Sequence, residues 1–114
     1  MVLATTEIAQ RNLGMINNRV FEVLACGAPL ITDKFPELVQ VLGEEGHVLY
    51  VDDDQPSQAY HHALKLLGNA TLRKEIGQAG RQHVLDHHTY EKRVIQILDF
   101  YQHALLQQAV EPAL

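Results

Sequence analysis

The sequence predicts an α/β fold, a doubly wound parallel sheet of about three strands followed by three C-terminal helices. Two observations carry that reading. Short apolar runs at Val2-Leu3-Ala4, Leu30-Ile31-Thr32 and His47-Val48-Leu49-Tyr50-Val51 alternate with two helical segments, and such alternation implies parallel strands joined by helical crossovers. Beyond Asp52-Asp53-Asp54 the apolar spacing turns wholly helical. This divides the chain into a β/α part, 1–54, and a helical part, 55–114.

Val2-Leu3-Ala4 closes on the Thr5-Thr6 pair, a strand end followed by a polar loop. Glu7 to Gly14 carries no clear pattern. Asn17-Asn18 is a helix-start signal for Val20-Phe21-Val23-Leu24-Ala25-Cys26, which Gly27 and Pro29 stop. Leu30-Ile31-Thr32 is the next strand, ending in Asp33. Pro36 suits the first turn of a helix through Leu42, and 43–46 is a turn before the third strand. Pro56 opens a helix with Tyr60, Leu64 and Leu67 at helical spacing, and Asn69 caps a second with Leu72, Ile76, Ala79 and Val84. Thr89 caps a third, whose Tyr90, Val94, Ile97, Tyr101, Ala104 and Gln108 form one long stripe that must pack on something.

A chain of 114 residues is at most one domain, and a net charge of −5 with scattered basic residues lacks the footprint of a nucleic-acid binder. With one cysteine, no signal-like segment and no apolar run long enough to span a bilayer, the expected location is cytoplasmic. Cys26, among apolar neighbours, reads as a buried structural thiol.

Ligands of doubly wound sheets bind beyond the carboxyl ends of the strands. That edge gathers Thr5, Thr6, Asn17, Asn18, Arg19, Asp33, Lys34 and Asp52. Glu22 lies one helical turn beyond Asn18 and Arg19, so a helix otherwise apolar keeps a polar face at its N-terminal end. Free N–H groups and the helix dipole favour an anion there, Arg19 adds a donor fork, and a carboxylate at Glu22 suits ribose hydroxyls. The alternative is a capping Asn with a local Arg19–Glu22 pair. Asp52-Asp53-Asp54 contains an Asp-x-Asp pattern able to hold a divalent cation, although acidic runs also cap helices. His83 and His87 lie one turn apart, and His61 and His62 are adjacent; all four read as solvated helix faces.

NNRVFEVLACGAPLITD, then FPELVQVLGEEGHVLYVDDD, then RKEIGQAGRQHVLDHHTYEKRVIQIL resemble the carboxyl-terminal domain of glycosyltransferases with the two-Rossmann fold (GT-B), nearest the group 1 and spore-maturation-like proteins. The resemblance runs from Val2 to Gln108 and implies a partial Rossmann-like domain. It implies that Glu22 of Glu22-Val23-Leu24-Ala25-Cys26-Gly27 binds the ribose of a nucleotide-diphosphosugar donor, with the diphosphate at Asn18 and Arg19. The candidate donor set is Thr6, Asn17, Asn18, Arg19 and Glu22; no catalytic residue, metal site or other cofactor is expected. The second Glu that many group 1 enzymes carry is replaced by Met15, and the loop before Pro36 reads Asp33-Lys34-Phe35 where glycines are common.

The resemblance also implies an acceptor-binding amino-terminal domain and the first half of the donor domain, neither present here. The chain alone is therefore expected to lack transferase activity and to self-associate over its uncovered sheet edge and helix stripe. Two alternatives stand beside this: a non-catalytic, self-associating interaction module, and a metal-assisted enzyme built on Asp52 and Asp54.

Overall fold

The computed structural model describes residues 1–44 and 46–110. Its elements are β1 (Val2–Ala4), α1 (Ile8–Asn12), α2 (Asn18–Ala25), β2 (Leu30–Asp33), α3 (Pro36–Leu42), β3 (Leu49–Val51), α4 (Ser57–Leu67), α5 (Ala70–His87) and α6 (Tyr90–Val110). The strands pair in parallel in the order β1-β2-β3, with Leu3 opposite Ile31 and Thr32 opposite Tyr50. The fold is thus α/β, an open, partial Rossmann-like sheet, and helices alone follow β3 among the described residues. Glu45, in the expected 43–46 turn, and the last four residues of the helical part, 111–114, lie outside the described residues.

The capping residues act as their chemistry requires. Asn17 Oδ1 accepts from the Arg19 N–H at 2.9 Å, Asn69 Oδ1 from Leu72 at 3.0 Å and Thr89 Oγ1 from Lys92 at 3.2 Å. Pro36 opens α3 at the position where a missing N–H costs nothing. Two boundaries differ from the sequence reading. The unpatterned stretch after Thr6 contains α1, a helix of 5 residues with none buried, so it left no apolar period to read. The third strand begins at Leu49 rather than His47, because His47 turns its ring back to hydrogen-bond the Leu42 carbonyl.

One face of the sheet carries the main core. Ala4, Leu30, Val20 and Leu24 pack with Phe35, Leu38, Leu42, Val48 and Val84, joining β1, β2, α2, α3 and α5. Alternation puts Ile31 on the opposite face from Leu30; it too is buried, and α4, whose Leu66 is fully buried, packs against β2 and β3.

The tightest junction is between α2 and α5. A Cβ on Gly77 would fall 2.0 Å from the Gly27 carbonyl oxygen, and one on Gly80 would fall 2.8 Å from Leu24 Cδ2. The buried face of α5 is therefore Gly77, Gly80 and Val84, while Ala79 of the expected stripe is exposed. Gly27 itself has φ +74°, the left-handed turn by which the chain leaves α2 toward β2. Cys26 corrects the sequence reading: it is exposed. Val20 and Leu24 take the inward face of α2, and a residue two positions beyond Leu24 points the other way.

Two apolar faces have no partner among the described residues. Tyr60, Leu64 and Leu67, the expected stripe of α4, are exposed, because the helix packs through Leu66 and its partly buried Ala59, His62 and Ala63. On α6, Tyr90, Val94, Ile97 and Tyr101 are also exposed, as are Leu98, Phe100 and Leu105. The outer edge of β1 is likewise unpaired there, with Leu3 63% exposed beside it. No described helix is long and apolar enough to cross a membrane.

Candidate functional site

The site begins with the polar face of α2. Asn18, Phe21, Glu22 and Ala25 recur at helical spacing and form one wall of a cavity of about 370 Å³. The facing wall comes from far along the chain: Val84 and Leu85 of α5, His88 and Thr89 of the junction, and Tyr90 and Arg93 of α6. The cavity is mostly apolar with a few convergent polar groups, the usual make-up of a small-molecule site.

The five residues picked from the sequence are not all brought together. Asn18 and Glu22 share the cavity. Their side chains form no hydrogen bond with any described residue, nor does the alternative Arg19–Glu22 pair form: both described ion pairs belong to Arg11. Asn17 caps α2, while the exposed Arg19 is absent from the cavity wall. Thr6 lies at the sheet edge, its backbone N–H donating to Asp33 Oδ2 at 3.2 Å.

Residues that sequence reasoning passed over complete the wall. Arg93 Nη2 donates to His88 Nδ1 at 2.8 Å, and its guanidinium lies 5.5 Å from the Phe21 ring centre. Arginine has donors only, so His88 Nδ1 is the acceptor and the neutral ring carries its proton on Nε2. That nitrogen faces the Val41 carbonyl at 3.2 Å and His83 Nε2 at 3.1 Å. His83 also stacks on His47, with ring centres 4.3 Å apart. The sequence reading of His83 as solvated is corrected: it is partly buried against the end of α3. Burial first, and then repulsion from His47 for His83 and from Arg93 for His88, hold both rings below the ordinary histidine value.

A second polar cluster sits at the carboxyl edge of the strands. Arg11 grips Asp53 with two bonds of 2.8 Å, approaches Asp33 at 3.6 Å and donates to the Lys34 carbonyl at 3.2 Å. These hydrogen bonds hold the Asp53 carboxyl below its usual range. Gln58 binds the Asp52 backbone N–H at 2.7 Å and its carboxylate at 3.2 Å. Asp52 and Asp53 thus clamp α1, α4 and the ends of two strands together. Among the described residues no three His, Cys, Asp or Glu side chains are grouped to hold a metal ion. Replacing Arg11 with Met should free α1, read as faster amide exchange over Ile8–Asn12 with the α5 core unchanged; uniform protection in both proteins would refute the clamp.

No curated protein and no solved structure matches the chain. The profile of one protein family, described as glycosyl transferase-like, matches residues 1–99, which takes in the sheet, the cavity and just under half of α6. By that match over most of its length, this chain belongs to the glycosyl transferase-like family.

Proposed function

We propose that the chain is the donor-binding part of a nucleotide-sugar glycosyltransferase of the two-Rossmann kind, from the spore-maturation-like branch and cytoplasmic, and that it is inactive alone. The observation that carries this reading is the placement of Asn18 and Glu22, one helical turn apart on α2, on one wall of a cavity and with side chains that have no hydrogen-bond partner among the described residues. In a chain of this family, such a pair suits a donor with an anionic part toward the helix start and hydroxyls toward the carboxylate. The donor is the substrate; acceptor and catalytic base would come from a domain outside this chain. Asn17 and Arg19, at the mouth of the helix, are the sequence-derived candidates for the anionic end of the donor, although neither lines the cavity.

The test is titration of the chain with uridine and guanosine diphosphosugars, followed by amide NMR. Shifts should concentrate on Asn18–Glu22 and Val84–Arg93, and Glu22→Ala should weaken binding about tenfold. No sugar should be transferred to any acceptor by the chain alone. Shifts confined to the Asp52–Asp54 edge, or a response requiring magnesium or manganese, would instead support the metal-assisted reading.

A companion reading concerns assembly. The exposed apolar faces of α6 and α4, and the open edge of β1, favour association with a second copy over life as a monomer. Sedimentation at micromolar concentration should show a dimer or larger species, and Ile97→Glu with Tyr101→Glu should shift it to monomer. A stable, compact monomer of the unsubstituted chain would rule this reading out.

A further inference from the structure

We infer that Arg93, and not Arg19, is the residue that meets the anionic group of a nucleoside diphosphate in the α2–α6 cavity, with His88 as its positioning residue. The inference rests on the donor-site reading given above, because it takes the cavity beside Asn18 and Glu22 as the binding site.

Of the two arginines, Arg93 lines the cavity and Arg19 does not. Two other cations stand beside hollows of the fold: Arg11 is already neutralised by Asp33 and Asp53, and the hollow beside Lys34 is also lined by Glu44, Asp52, Asp53 and Asp54, which repel an anion. Arg93 has no carboxylate partner among the described residues, for both ion pairs belong to Arg11. Its contacts are to neutral groups: His88 Nδ1 at 2.8 Å, Gln96 Oε1 at 3.2 Å and the His87 carbonyl at 3.4 Å. Nη1 makes two of these bonds and Nη2 one. The Nε–H and the second N–H of Nη2 are then without a described acceptor, and donors on neighbouring nitrogens of one guanidinium suit two oxygens of a phosphate.

The guanidinium is also held still. Phe21 lies beneath it, and the bond to His88 ties it to a ring packed between Val41 and His83. A fixed, partly buried cation with no counter-ion among the described residues loses little freedom when an anion arrives. The exposed Arg19 has no such support: its own backbone N–H is capped by Asn17, and its side chain bonds to no described residue. Glu22 on the same wall repels an anion placed beside it, which leaves the diphosphate nearer Arg93 and a hydroxyl-bearing part nearer Glu22.

The decisive measurement titrates the full chain with uridine diphosphate, and separately with inorganic pyrophosphate, while the arginine Nε–H signals are followed by NMR. The Arg93 signal, assigned by its absence from the spectrum of Arg93→Lys, should move with both probes, and the Arg19 signal should not. Arg93→Gln should weaken binding at least about tenfold, Arg93→Lys less, and Arg19→Gln by no more than about twofold. His88→Gln, which keeps an acceptor for Arg93, should retain most of the affinity, whereas His88→Leu should lose it. If uridine diphosphate binds but moves the Arg19 signal and is lost in Arg19→Gln, the inference fails and the donor-site reading stands. If neither probe binds the unsubstituted chain, both fail. Because the Nε–H signals are read on the unsubstituted protein, a variant that folds poorly cannot rescue the inference.

Discussion

The Gly77→Ala chain should melt at least about 10 °C below the unsubstituted protein. A methyl group at position 77 would sit 2.0 Å from the Gly27 carbonyl oxygen and 3.0 Å from its carbon, so backbone, and not a side chain able to rotate away, must yield. Gly27 cannot move freely, because its φ of +74° sets the exit from α2 and its N–H bonds to the Leu24 carbonyl at 2.9 Å. Moving α5 away instead opens the contacts of Gly80 and Val84 with the core. Overpacking of this kind costs about 3 kcal/mol or more, against about 1 kcal/mol gained because alanine is the better helix former. The net loss of about 2 kcal/mol is large for a chain of this size. Gln78→Ala, an exposed neighbour, is the control and should change little. A Gly77→Ala protein melting within about 2 °C of the parent would show that α2 and α5 do not approach this closely in solution.

That junction also marks where the sequence stopped being legible. Local chemistry was readable: Asn17, Asn69 and Thr89 cap helices because their side chains can reach an N–H two or three residues on. The parallel sheet was readable because its three apolar runs are short and separated by helical periods. On α5 the apolar period pointed to Ile76 and Ala79, but the buried line is glycine, which carries no hydrophobic signal and packs by being absent. α1 escaped because its five residues bury nothing and are tied down by Arg11 to Asp33 and Asp53, residues distant in sequence. The candidate site divides the same way. Spacing could place Asn18 and Glu22 on one face of a helix, yet no local pattern could bring His88 and Arg93 opposite them. That meeting depends on α5 lying against α2, and hence on Gly77.

Acidification below the ordinary histidine pKa should destabilise the protein, and His83 and His88 should account for most of the loss. Both are held below about 6.5, chiefly by burial. The unfolded chain therefore binds protons more readily than the folded one. Their contribution is fully present above the unfolded value near 6.5 and is lost as pH falls through that value and then through the lower folded ones. Geometry gives the same sign. Protonated His88 would turn an Nδ1–H toward the Arg93 Nη2 that now donates to it at 2.8 Å, setting two cations face to face, while His83 would charge against His47 and His87. The nearest relief is Asp86, a minor influence on His83 and itself bonded to Gln82 at 2.8 Å. The melting temperature should thus fall by several degrees between about pH 7.5 and about pH 5.5. His88→Gln, in which the amide oxygen can accept from Arg93 without titrating, should flatten the slope although it leaves His83 to respond. A melting temperature that holds or rises over that interval would mean these rings take up protons in the folded state without cost, and the packing of α6 onto α5 through His88 and Arg93 would have to be redrawn.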